Sequence, residues 1–415
     1  MKSAQVTLNF GRFGWLLIAM LSTVTVAPAC AADVNLQFEF ASDSSNPGKK
    51  EFTNKTPVTG LCAEMPLTFS CGPEGGKGSS KIDVTIGGRI PNPAVDNIVQ
   101  FKIPELRSFF VKGADGREYP VKLKITGVAA RYDLSPSTVT SITGNPPPGG
   151  HIDLWMGGMF ADAPPPCSSV QLENGMHPSQ YRFVWHGNPG VICGKRKRIA
   201  FIPIPIMKLD SLSIVYQLDT PNPFEMVAGT YEGVTTYRMR EDFNPGGYLQ
   251  PSRPSFDVKV TLKVNHTFRV SLDSNDRKYD IQPDGGWPAW NDQGRPVKWL
   301  SSKYIAFNLE TTSPFTMRVL CQFPSGGNNC GLKNSQNDSV GVGAWVSLPQ
   351  GVTDDAGAPV RDKYLNVSWY DKFKVSGYVS GRGTLRFKMS PSEMAKMKTG
   401  TMYSGTVTVV WDSDI

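Results

Sequence analysis

Gly400-Thr-Met-Tyr-Ser-Gly-Thr-Val-Thr-Val-Val-Trp-Asp412, near the C-terminus, reads as a β-strand with two unlike faces. Tyr403, Val407, Val409 and Trp411 fall on one side, and Thr406 and Thr408 on the other. A period of two is the spacing of a strand that buries one face. A shorter version, Gly229-Thr-Tyr-Glu-Gly-Val-Thr-Thr-Tyr-Arg-Met239, also sets Tyr-x-Gly at the start of a strand. Between the two, Phe256, Val258, Val260, Leu262 and Val264, then Phe268, Val270 and Leu272, hold even positions interrupted only by His266. Toward the N-terminus Val34, Leu36, Phe38 and Phe40 alternate with polar residues, as do Val121, Leu123 and Ile125, and Tyr181, Phe183 and Trp185.

The composition agrees with this pattern. With 41 glycines and 33 prolines in 415 residues, few windows keep a helical period. Short strands joined by turns are the expected result. Ile152-Asp-Leu-Trp-Met156 reads as a short strand between proline-rich loops. Pro391 to Lys398 reads as a helical turn, with Pro391 suited to its first position. Residues 240–255, with three prolines and two adjacent glycines, read as a linker. The chain is therefore expected to be all-β, with sandwich domains at 32–240 and 255–415 joined by residues 241–254.

Residues 1–31 read as a secretory leader. Lys2 and Arg12 give a basic start, Trp15 to Met20 an apolar core, and Ala29-Cys30-Ala31 a small-x-small cleavage site. The apolar stretch is short for a membrane anchor, and Ala27 is a poor match to a lipoprotein signal before Cys30. The net charge of +7 includes both basic residues of the leader, so the processed chain is mildly basic. That suits solubility and does not point to nucleic acid. Six cysteines follow the leader, an even count that argues for disulfides in an oxidising compartment. Pairing by proximity gives Cys62/Cys71, Cys167/Cys193 and Cys321/Cys330, the simplest of fifteen connectivities. A metal site would need spacings such as C-x-x-C, which are absent, and no cofactor is expected. Neither a Gly-x-Ser-x-Gly elbow nor an HExxH pair nor a phosphate-cradling loop occurs, and the four histidines are scattered. The expectation is a non-enzyme.

Four stretches carry a family resemblance. They are Ala228-Gly-Thr-Tyr-Glu-Gly-Val-Thr-Thr-Tyr237, Val264-Asn-His-Thr-Phe-Arg-Val270, Phe315-Thr-Met-Arg-Val-Leu-Cys321 through Cys330, and Met402 to Asp412. In this order the chain resembles the two-domain tip adhesins of chaperone–usher fimbriae, more closely the fimbrial-like adhesins of the YehA type in enteric bacteria. It departs from them at Arg238-Met-Arg-Glu-Asp242, where a Gly-Pro-Gly-rich stretch would stand. The resemblance implies two immunoglobulin-like, pilin-type sandwiches: a receptor-binding domain, then a pilin domain lacking its last strand. It also implies partners: a periplasmic pilus chaperone, an outer-membrane usher, an adjacent subunit joined by strand addition, and a host or surface receptor, a carbohydrate among the candidates. The place implied is the fimbrial tip, reached through the periplasm. A missing edge strand would leave an apolar groove and unpaired backbone groups. Covering four or five large side chains at ~1.5–3 kcal/mol each gives on the order of 10 kcal/mol, comparable with the stability of a whole domain. Tyr403, Val407, Val409 and Trp411 are the candidates for one wall of that groove, and Phe256, Val258 and Val260 for the other.

The candidate receptor surface lies between residues 151 and 198. Asp153 and Trp155 would share one strand, and Arg182, Trp185 and His186 another, beside the Cys167/Cys193 pair and the basic run Lys195, Arg196, Lys197 and Arg198. Aromatic faces can stack on sugar rings, and charged groups can bind hydroxyls or an anionic glycan. The plainer readings place both tryptophans in a sandwich core, the basic run in a solvated turn, and His186 at the cap of a turn. Trp287, Trp290 and Trp299 form a second aromatic cluster in a long loop of the second domain, a candidate to face the linker and fix the angle between domains, ahead of direct ligand contact.

Overall fold

The structure, a computed structural model, describes residues 3–11, 33–42, 46, 49–60, 63, 77–92, 98–169, 177–198 and 201–413. Cys62, Cys71 and the expected cleavage site at residues 29–31 lie outside the described residues.

Among the described residues the chain is mostly β, in two large sheet systems of 12 and 14 strands, each wrapped around its own core. The first core runs from Val34 to Val264, the second from Ile281 to Trp411. The spine of the first is an antiparallel pair, Glu118–Asp133 against Ile204–Asp219. Their register shifts between Asp210 and Ser213, where Ser211 takes a positive φ of 50°. In the second, Val379–Met389 lies between Ile305–Thr311 and Ser339–Ser347. The Cys167–Cys193 and Cys321–Cys330 disulfides both form, with Cα–Cα distances of 5.7 and 5.1 Å.

Three local expectations change. First, the division between the two bodies falls later than residues 241–254. Met239, Phe243 and Leu249 are fully buried in the first core, so the proline-rich segment is part of that core and not a free linker. Ser255–Asn265 then runs antiparallel to Gly229–Arg238 and parallel to Val34–Ala41. Phe256, Val258 and Val260 are therefore first-core residues, and they do not form a wall of any groove in the second body. Alternation establishes that one face of a strand is buried, but not which sheet buries it. Second, Gly149–Leu154 is a short helix, where a strand was expected over 152–156. Third, Trp287 and Trp290 sit on a helix, Gly286–Asp292, and pack against the second core. The helical turn after residue 390 forms as Pro391–Ala395, with the Ser390 side chain accepting from the Glu393 amide.

The chain crosses between the bodies at His266 and Thr267. The His266 Nε2–H donates to the Met226 carbonyl at 2.8 Å, on the first-body side. Its Nδ1 lies 3.1 Å from Thr312 Oγ1, on the second-body side. A carbonyl can only accept, which puts a proton on Nε2; in the neutral ring that leaves Nδ1 to accept from the Thr312 hydroxyl. Burial lowers its pKa, against the opposing effect of the Met226 carbonyl.

Candidate functional site: a strand-accepting cleft

The closing strand, Met402–Ser413, keeps the two faces read from its sequence. Tyr403, Val407, Val409 and Trp411 are buried in the second core, while Met402, Ser404 and Asp412 are exposed. Trp411 lies against Phe307 and Phe315, with ring centroids 5.0 and 5.7 Å apart. Tyr403 accepts from the Lys398 amide at 3.2 Å through its hydroxyl. One edge of the strand pairs antiparallel with Phe315–Cys321, from Phe315 opposite Ser413 to Cys321 opposite Val407.

The other edge decides how this body can work. Beyond this edge the next strand of the body in sheet order is Lys278–Pro283, yet the two do not pair with each other. Ser3–Gly11 lies between them. It runs parallel to the closing strand, from Ser3 opposite Met402 to Gly11 opposite Val410. It runs antiparallel to Lys278–Pro283, with Ala4 opposite Ile281 and Thr7 opposite Lys278. Remove residues 3–11 and two strand edges are left with unpaired backbone groups over buried apolar side chains. Lys278–Pro283 is thus the strand facing the closing strand across Ser3–Gly11, with Ile281 buried and Tyr279 half-buried against the second core. Its run, Lys-Tyr-Asp-Ile-Gln-Pro, is too short and too polar to announce itself.

The expected receptor surface is divided by the fold. Trp155 and Trp185 are fully buried in the first core with Tyr132, Phe160 and Phe183. Trp185 Nε1 donates to the Phe160 carbonyl at 3.1 Å. The basic run lies at a strand end and alternates in exposure, which corrects the reading of a solvated turn. Lys195 and Lys197 point inward, and Arg196 and Arg198 outward. Lys195 Nζ donates to the Met156 and Gly157 carbonyls at 3.3 and 2.9 Å. Lys197 Nζ donates to the Arg198 and Phe201 carbonyls at 3.1 and 2.8 Å. Burial lowers the pKa of both amines, with Asp162 opposing it at Lys195. Each acts as an internal tie between loops. Asp153 is half-buried and accepts from Asn145 at 2.7 Å. Arg182 and His186 are also half-buried, and burial lowers the His186 pKa. Among the described residues, no group of three or more His, Cys, Asp or Glu could hold a metal ion. Also among the described residues, no helix is long and apolar enough to cross a membrane.

No family model matches the chain, and no curated protein does. Solved structures are similar along most of its length. One is a chaperone–tip adhesin complex from CFA/I fimbriae biogenesis, at 9% identity, covering 92% of this chain and 95% of that one, with a TM-score of 0.25. Another is CfaE, the adhesive subunit of the CFA/I fimbria of enterotoxigenic Escherichia coli, at 9% identity, covering 92% and 99%, with a TM-score of 0.22. A third is the CsuC–CsuE chaperone–tip adhesion subunit complex of Acinetobacter baumannii, at 8% identity, covering 92% and 100%, with a TM-score of 0.19.

Proposed function

We propose that this chain is a fimbrial tip adhesin, of the YehA-like kind its sequence resembles. The observation that carries the reading is the cleft between Lys278–Pro283 and Met402–Ser413, filled by residues that belong to the expected leader. With the leader removed, the second body needs a strand from elsewhere. A periplasmic chaperone supplies it first; at the outer-membrane usher the adjacent pilus subunit replaces it, and the chain ends at the fimbrial tip on the cell surface. The first body then meets a host or surface receptor, with a glycan as the leading class. Of the residues expected to touch it, Arg196 and Arg198 are exposed.

The alternative is a minor pilin or assembly initiator with no receptor. The withdrawal of Trp155, Trp185, Lys195 and Lys197 from the surface favours it. Limited proteolysis tests the shared part. Residues 32–415 produced alone are expected to lose the second body to protease and to keep it when a chaperone is co-expressed. Resistance without any helper overturns the proposal. A glycan array probed with the chaperone-bound chain separates the two readings. Competable binding that is lost in Arg196→Glu/Arg198→Glu supports the adhesin.

A further inference from the structure

Residues 3–11 do more than mark the cleft. Their sequence, Ser-Ala-Gln-Val-Thr-Leu-Asn-Phe-Gly, alternates apolar and polar, with Ala4, Val6, Leu8 and Phe10 on even positions. The register sets these four opposite Tyr403, Gly405, Val407 and Val409, which are the buried positions of the closing strand. In a parallel pair, residues at matching register share a face of the sheet. The register therefore sets the apolar positions of the leader beside the buried positions of the closing strand, and Gln5, Thr7 and Asn9 at the alternate positions. A one-residue slip would invert that order, so the match is specific to this register. The Gly405 position is also constrained: a Cβ there would come within 2.9 Å of the Gly331 carbonyl.

We infer that residues 3–11 are a true ligand of the cleft, so that the unprocessed chain completes its own second body and excludes a foreign strand until the leader is cut away. This rests on the reading that the cleft takes a strand, and deepens it by naming the peptide chemistry accepted: nine residues, parallel to Met402–Ser413, small then branched or aromatic at alternate positions. Residues 12–33, between the leader strand and Val34–Ala41, can span roughly 70 Å when extended, so the reach is available in cis. A tether of this kind supplies its strand at an effective concentration of about a millimolar. If the free leader peptide binds at about 10 μM, the tethered form weakens a competing donor about a hundredfold.

The test compares the full chain, made without export and oxidised after purification, with residues 32–415. The full chain is expected to keep its second body against protease at least ten times longer. A synthetic peptide of residues 3–11 added to 32–415 should restore that protection, and the same peptide carrying Leu8→Asp and Phe10→Asp should not. A disulfide trap reads the register directly. Thr7→Cys with Thr406→Cys should cross-link in the full chain, and Thr7→Cys with Thr408→Cys should not. If 32–415 is rescued by a chaperone but not by the peptide, and the full chain is as labile as 32–415, the inference falls while the proposed function stands. If 32–415 resists protease unaided, both fall.

Discussion

Trp411→Ala is the perturbation that most directly tests whether the closing strand completes the second core. The Trp411 side chain is 7% exposed and lies between Phe307 and Phe315, in register with Met317 on the neighbouring strand. Its Nε1 has no hydrogen-bond partner among the described residues, so the loss on truncation is packing alone. Truncating a buried tryptophan costs about 3–5 kcal/mol. The two ring contacts contribute about 0.5–1.5 kcal/mol each within that. Taking about 4 kcal/mol, the folded-to-unfolded ratio falls about a thousandfold, and with a urea m-value of about 2 kcal/mol/M the midpoint drops by about 2 M. Pulse proteolysis across a urea series, with fragments of the second body resolved by mass, reads this transition apart from that of the first body. Trp299→Ala is the control: its side chain is 51% exposed, and the change should stay within about 0.5 kcal/mol. A shift below about 1 kcal/mol for Trp411→Ala with an unchanged m-value would refute the placement of this strand in the core.

Replacing both cysteines of Cys167–Cys193 by serine should destabilise the first body by about 3.5 kcal/mol in the chain-entropy account, and the same change at Cys321–Cys330 the second body by about 2.5 kcal/mol, because the loops span 26 and 9 residues; urea midpoints of the two bodies read the difference. Acid should loosen the protein through its buried and half-buried histidines. Burial holds the pKa of His151, His186 and His266 below 6.5, so the stability they contribute is complete above about pH 6.5 and is lost as pH falls through their lowered native values. The junction should feel this through His266, and His266→Gln should flatten the dependence of inter-body cross-linking between pH 7 and 5. Amine labelling followed by mass spectrometry should leave Lys195 and Lys197 unmodified in the native chain while exposed Lys208 reacts; equal labelling would contradict their inward placement.

Some of the architecture was legible because it depends on local periodicity. The strand at residues 402–413, the buried row Phe256 to Val264 and the turn at residue 391 appear where the spacing of apolar groups puts them. The candidate receptor surface was less legible because a tryptophan or lysine has the same sequence signature in a core as on a surface. Trp155 and Trp185 went inward because Phe160 packs against both, Tyr132 against Trp155, and Phe183 beside Trp185 on the same strand. Lys195 and Lys197 followed because a strand turns alternate residues the same way and nearby carbonyls accept their protons.

The amino-acid order alone determined that the chain is mostly β and that its C-terminal strand has one apolar face. Those are properties of a few neighbouring side chains. Which strands become partners is a property of the whole sheet. Only the tertiary structure moved Phe256, Val258 and Val260 into the first core, and set Ser3–Gly11 between Lys278–Pro283 and the closing strand. Backbone groups at a strand edge demand a partner without specifying it, and register against a buried face decides which segment can serve.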